Sequence, residues 1–220
     1  MGYDSKHVEI LDPKEGYNLI ANEYKNYHNH LTSFDKGFFL SLLPRETASM
    51  DVIDLGAGDG RIYRILQAKN YAFNSYTACD ISEKLLKQHP AILSSFNKGG
   101  DHRTEDLKKV ICDVENTLPF EDQSFDLAFS FFVLEHIADV DHVFVEMERI
   151  LRSGGKRIIG HFLQRREFIW KKGPNSFKIR LYNHRLQDIE KIGRKNLFDV
   201  TNYPIYEKGN LIGYIIVCEK

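Results

Sequence analysis

From Asp51 the chain runs Asp51-Val52-Ile53-Asp54-Leu55-Gly56-Ala57-Gly58-Asp59-Gly60, a short apolar run ending in three closely spaced glycines. From Arg61 to Ala68 the apolar residues Ile62, Ile65 and Leu66 then recur at helical spacing. A strand, a glycine-rich turn and a helix in that order open an α/β unit. Glycine permits the tight turn and lets a ligand approach where a Cβ would otherwise stand. The helix that follows offers unpaired N–H groups to a negative ligand group. The spacing departs from the dinucleotide fingerprint, which would need glycine at 56, 58 and 61. Position 61 is Arg61 and the third glycine is Gly60, so the pattern is GxGxG with Asp54 before it.

The same alternation continues outward. Strands are predicted over 76–80, 110–113, 125–130 and 156–162, and helices over 82–89, 140–151 and 184–192. Ser82 is placed to cap the second of the core helices. The polar stretch 94–106 reads as a loop, and 198–206 with 211–219 as a closing antiparallel hairpin around Lys208-Gly209-Asn210. Residues 1–45 read as N-terminal helices, with Tyr17, Ile20, Ala21 and Tyr24 on one face. The expectation is one domain over 1–220: an α/β fold with a mostly parallel sheet, helices on both faces and a C-terminal antiparallel hairpin. Its core spans 50–162, and 163–220 form the substrate side and the hairpin. In such sheets ligands bind at the carboxyl ends of the strands, near the switch point.

Asp80 ends the second strand, 20 residues after Gly60, where a carboxylate can accept both hydrogen bonds of a ribose diol. Asp113 ends the third, although Asp101 is a rival. The stretch Leu118-Pro119-Phe120, Ser124-Phe125-Asp126 and Leu134-Glu135-His136, together with Gly154-Gly155 and the GxGxG turn, resembles the type 11 family of class I methyltransferases. That family includes the ubiquinone/menaquinone biosynthesis methyltransferases, and the resemblance covers roughly residues 50–162. It implies a Rossmann-like seven-stranded sheet and S-adenosylmethionine as cofactor. It also implies that Asp54, Gly56, Ala57, Gly58, Gly60, Asp80 and Ile81 bind the cofactor. The adenine would lie near Asp113 and Val114, Ser130 and Phe131 near the methionine part, and Tyr17 and Tyr24 over the cofactor.

Methyl transfer is an in-line displacement in which the cofactor carries the reactive group and the protein aligns the partners. An oxygen acceptor needs a base, and His136 and His161 are the candidates, following the fourth strand and ending the fifth. No metal-ligand spacing is present. The three cysteines, Cys79, Cys112 and Cys218, each end an apolar run, which predicts buried reduced thiols. With a polar N-terminus and no apolar run of membrane length, they predict a cytoplasmic protein without an integral membrane segment.

The chain has 220 residues and net charge -1, but the charge is unevenly spread. Residues 152–195 carry 13 Lys or Arg against three acidic residues, so this segment is near +10 and the remainder near −11. Phe168, Trp170 and Phe177 interleave with these charges, a pattern suited to an anionic acceptor or a stacking surface. The reading adopted is methyl transfer to a small-molecule acceptor, anionic if this segment borders its entrance. Methylation of RNA or other nucleic acid through 152–195, and a non-catalytic cofactor-binding scaffold, are the alternatives. Calorimetry should show binding of S-adenosylhomocysteine and none of NAD; the reverse would overturn the reading of the GxGxG turn.

Overall fold

β2 (Asp51–Leu55) shows why the chain folds into three layers. Its side chains alternate between two apolar clusters, Ile53 and Leu55 entering one and Val52 the other. A strand covered on both faces must sit inside a parallel sheet. The structure, a computed structural model, describes residues 8–25, 34–90, 106–163, 168–172 and 175–220. The larger sheet also contains β3 (Ser75–Asp80), β4 (Asp106–Ile111), β5 (Phe125–Phe131), β6 (Leu151–Phe162), β9 (Asp199–Glu207) and β10 (Asn210–Glu219). Their order is β4-β3-β2-β5-β6-β10-β9. β10 is the one reversed strand, antiparallel to both β6 and β9. The expected seven-stranded sheet and closing hairpin are therefore observed.

One face is covered by α4 (Val140–Ile150) and α5 (Leu186–Lys195), which bury Phe144, Met147 and Ile189 against Ile53, Ala128 and Ile216. The other is covered by α2 (Arg61–Ala68), burying Ile62, Tyr63 and Leu66 against Val52, Tyr76 and Phe129. Phe39, from the 3-10 turn Phe38–Leu42, packs edge-on against Phe131 on that side. Ser82 caps α3 (Glu83–Gln88) as its sequence suggests, accepting from the Leu85 amide at 3.2 Å.

Several sequence expectations are corrected. The region 1–45 is not helical throughout: α1 (Pro13–Ile20) is preceded by the strand β1 (Glu9–Leu11). β1 runs parallel to β8 (Asn175–Ile179), which forms a hairpin with β7 (Trp170–Lys172). This second, three-stranded sheet joins segments more than 150 residues apart, so no local pattern reveals it. The third core strand starts earlier than expected and ends at Ile111, leaving Asp113 beyond it. Cys79 and Cys112, expected as free thiols, are joined across the ends of β3 and β4, with Cα atoms 5.9 Å apart; Cys218 is free and buried. Adjacent parallel strands bring these two residues together across 33 positions of sequence. Except for Asp106, the stretch read as a loop over 94–106 lies outside the described residues, as do Asp101, Arg165 and Arg166.

The interleaved aromatics of the basic segment also serve another purpose. Trp170 and Phe177 are buried with Leu11, Ile20 and Ile179, and Tyr17 and Tyr24 pack against that cluster. Only Phe168 of the three remains exposed, edge-on to Trp170. Trp170→Ala should therefore cost about 3–5 kcal/mol of stability through the cavity it leaves. Urea unfolding measures this, and a midpoint unchanged from wild type would mean the small sheet has no core of its own.

Candidate functional site

The glycine-rich turn is held from the neighbouring strand. The amides of Gly56 and Ala57 both donate to the carbonyl of Cys79, at 2.7 and 3.0 Å. The Gly58 amide donates to Asp80 Oδ2 at 2.8 Å, and the Ser82 amide to Oδ1 at 2.7 Å. Gly58 has φ 55°, the left-handed region that favours glycine. Each carboxylate oxygen of Asp80 keeps a lone pair for a ligand hydroxyl. Burial pushes the Asp80 carboxyl up to about 6 despite these two amide bonds.

Two compartments meet at this turn. The first, of about 290 Å³, is lined by Asp80, Ile81, Asp113 and Val114, with Tyr17, His136, Arg180 and Tyr182 on its far wall. The second, of about 270 Å³, is lined by Asp54, Ala57, Asp59, Arg61 and Arg64. Gly56, Gly58, Tyr24, Phe131 and Phe132 border both. Asp54 is buried, accepts from the Tyr76 hydroxyl at 2.9 Å, and is pushed up to about 7 by burial. Arg61 lies across the same compartment, its guanidinium 4.7 Å from the Phe132 ring centre and 5.5 Å from that of Phe131. One compartment thus offers a diol acceptor and apolar walls, and the other an opposed acid and base.

Of the sequence-expected cofactor residues, Asp54, Gly56, Ala57, Gly58, Asp80, Ile81, Asp113, Val114, Phe131 and Tyr24 line these compartments. Gly60 and Ser130 do not. Gly60 is the N-cap of α2 at φ 85°, and a Cβ there would lie 2.5 Å from Pro90 Cδ, so its role is packing. Ser130 is fully buried, and strand alternation turns it toward the Ala128 face, opposite Phe129 and Phe131. Asp113 reaches the cavity from beyond β4, its Oδ1 accepting from the Glu115 amide at 3.0 Å.

The two histidines differ. His136, in the 3-10 turn Leu134–His136 after β5, lines the first compartment, and burial lowers its pKa. His161 is buried behind the site, its Nδ1 3.0 Å from Glu135 Oε1 and its Nε2 3.1 Å from the His184 carbonyl. Burial opposes its charge, but Glu135 outweighs this and raises its pKa. His161 therefore braces the end of β6 and does not line either compartment. Sequence reasoning missed Arg61 as a site residue, although its place as first residue of α2 was the available signal. It also missed Arg180 and Tyr182, which follow a β-hairpin that carries no motif.

The basic segment is dispersed. Arg152 pairs with Asp51 and Asp126, Lys156 with Glu219, Lys195 with Asp141 and Arg185 with Asp188. Arg157 is fully buried, its guanidinium 4.9 Å from the Phe144 ring centre. Among the described residues of the segment, Arg180 lines the first compartment. No helix among the described residues is long and apolar enough to cross a membrane.

Comparison with known proteins gives the class. A methyltransferase-domain family model matches residues 53–159. The ubiquinone/menaquinone biosynthesis C-methyltransferase UbiE of Bordetella avium is 29% identical over 116 residues, covering 51% of this chain and 41% of that protein. The chain thus spans less than half of that relative's length. A methyltransferase solved in complex with the Haloferax volcanii Trm112 methyltransferase activator gives a TM-score of 0.70 at 17% identity, over 94% of this chain and 96% of that one. The [4+2]-cyclase SpnF gives 0.66 at 14% identity over 97% of each chain. The fold is that of class I methyltransferases. Over residues 53–159, just under half of its length, the chain is similar to the type 11 family of S-adenosylmethionine-dependent methyltransferases. The matched segment includes His136 but ends before β7 and does not reach α1, so Tyr17, Arg180 and Tyr182 of the far wall lie outside it.

The raised carboxyl of Asp80 makes the site testable by pH. Ribose hydroxyls bind the ionised form, which is lost as pH falls through about 6. The contribution of Asp80 to S-adenosylhomocysteine affinity should fall about tenfold per pH unit below that point, one proton for this carboxylate. Asp80→Asn should remove this limb, leaving any limb of Asp54 near pH 7, and weaken binding at pH 8 by about 1–3 kcal/mol. Calorimetry from pH 5 to 8 reads both; equal slopes in wild type and variant would put the ribose elsewhere.

Proposed function

We propose that this chain binds S-adenosylmethionine across the two joined compartments and transfers its methyl group to a small-molecule acceptor. The observation that carries the reading is the pairing of compartments at Gly56 and Gly58. Asp80 suits the ribose, the apolar walls beside Asp113 and Val114 suit a base, and Asp54 opposite Arg61 suits an amino-acid zwitterion. When bound, the cofactor supplies an activated methyl on a sulfonium. The protein's part is to hold both ends, to keep water out with Phe131, Phe132 and Tyr24, and to orient the acceptor.

The remaining wall of the first compartment, formed by Tyr17, His136, Arg180 and Tyr182, is the acceptor side of this reading. Its mixture of rings and single charges suits a compact organic molecule. Arg152, Lys156, Arg185 and Lys195 of the basic segment are each engaged with an acidic side chain, which favours the small-molecule reading over the nucleic-acid one. The fold alone does not fix the reaction, since a cyclase shares it.

Incubating the protein with methyl-labelled S-adenosylmethionine and the small-molecule fraction of a cell extract tests the proposal. The expected result is label in one or a few organic compounds, with S-adenosylhomocysteine released. Label in added RNA instead would favour the nucleic-acid reading. Tight cofactor binding with no labelled product would favour a non-transferring role.

A further inference from the structure

Tyr17 of α1 and His136 are 119 residues apart in sequence, yet the Tyr17 hydroxyl lies 2.7 Å from His136 Nε2. The other ring nitrogen, Nδ1, lies 2.8 Å from the Arg180 carbonyl oxygen. A carbonyl oxygen can only accept, so Nδ1 carries the hydrogen. The neutral ring then presents the Nε2 lone pair, and the Tyr17 hydroxyl donates to it. Burial keeps both groups in these forms, holding the imidazole pKa down and the phenol pKa well up. Both side chains line the first compartment beside Phe131 and Val133. The Tyr17 ring is fixed edge-on against Tyr24 and Trp170, with centres 5.6 and 6.3 Å apart. Around the pair, Asp80 and Tyr24 face Tyr17, Glu135 faces both residues, and Arg180 holds the far nitrogen.

This arrangement has a direction. The Tyr17 oxygen donates to His136 and retains a lone pair for a donor in the cavity, while Nε2 itself is covered by the hydroxyl. We propose that Tyr17 is a catalytic residue, passing a proton from a phenolic or enolic acceptor hydroxyl to His136. The proposal rests on the methyl-transfer reading above and names its acceptor class. In the step, the bond from the acceptor oxygen to the methyl carbon forms as the carbon–sulfur bond breaks, and that electron pair stays on sulfur. The acceptor proton moves to the Tyr17 oxygen and the proton of Tyr17 moves to Nε2. The resulting imidazolium keeps its bond to the Arg180 carbonyl and gains the nearby Glu135 charge. If an ionised phenol or enol is methylated at a neighbouring carbon instead, the same relay supplies the ionisation and the displaced ring or vinyl proton leaves to solvent.

Tyr17→Phe and His136→Gln test the relay, read by label transfer into the extract fraction and by calorimetry with S-adenosylhomocysteine. Each variant should lose about 10²-fold or more of the rate, the usual range for removing acid–base catalysis. Affinity for S-adenosylhomocysteine should stay within about threefold of wild type. The wild-type rate should rise with pH as His136 loses its proton, and this limb should be absent in His136→Gln. Should Tyr17→Phe not fold, as seen by circular dichroism, His136→Gln and its pH profile carry the test alone. Rates within about threefold of wild type would overturn the relay. So would a loss of rate matched by loss of S-adenosylhomocysteine affinity, which would make the pair a latch on the cofactor. A labelled methyl on an amine with no ionisable hydroxyl would overturn the acceptor class. Wild-type protein that binds S-adenosylhomocysteine yet labels nothing would overturn the methyl-transfer reading itself.

Discussion

Two amides of the glycine-rich turn share a single acceptor, the carbonyl of Cys79, and a third donates to the carboxylate of the next residue, Asp80. The end of β3 therefore fixes the path of the chain leaving β2, and through it the start of α2. Buried backbone N–H groups left unpaired would each cost roughly 1–3 kcal/mol, so the turn has strong reason to keep this shape. The consequence is geometric. The same carboxylate that stabilises the turn stands at the mouth of the cavity with lone pairs to spare, and both compartments open beside Gly56 and Gly58.

Around this fixed centre the rest of the site is assembled from parts that move further in sequence than in space. α1 reaches over the cavity because β1 pairs with β8 and because Asn18 accepts from the Ser82 hydroxyl at 2.8 Å. The segment after β8 is tied to the turn after β5, since the Tyr182 amide donates to the Glu135 carbonyl at 2.6 Å. Glu135 also accepts from the Phe162 amide at 2.6 Å and faces His161. Through its carbonyl and its buried carboxylate, Glu135 ties the turn after β5 to the segment after β8 and to β6, so the wall carrying His136 keeps its position relative to β6. The Glu135–His161 contact is a brace whose cost in desolvation is offset by the backbone bonds around it.

Electrostatics inside the site follows burial more than proximity. Asp54 and Asp80 are both pushed up, to about 7 and about 6, because neither is fully compensated by cations in an apolar setting. A ligand bringing hydroxyl donors and an ammonium group supplies what these carboxylates lack. Charges elsewhere are spent differently. Arg149 bridges the Leu118 and Phe120 carbonyls with Glu146 and Asp122, and serves to hold the 118–124 loop against α4. The numerous cations of 152–195 likewise act mostly as local ties, which composition along the sequence could not separate from a binding face.

The sequence by itself determined the sheet core and most of the cofactor side. The run Asp51 to Gly60 has few ways to fold, since apolar alternation demands a two-sided strand and three glycines demand a tight turn. Asp80 was legible because it ends an apolar strand. Tertiary structure alone decided what lies opposite. That β1 should pair with β8, that Trp170 should turn inward, and that Tyr17 should meet His136 depends on contacts between segments with no shared local pattern. Ser130 and Phe131 make the difference plain. Both sit at the end of the same strand, yet the two-residue period of the strand sends one into the core and the other into the cavity. Local periodicity is written in the chain, whereas which face meets a ligand is settled only when the layers pack.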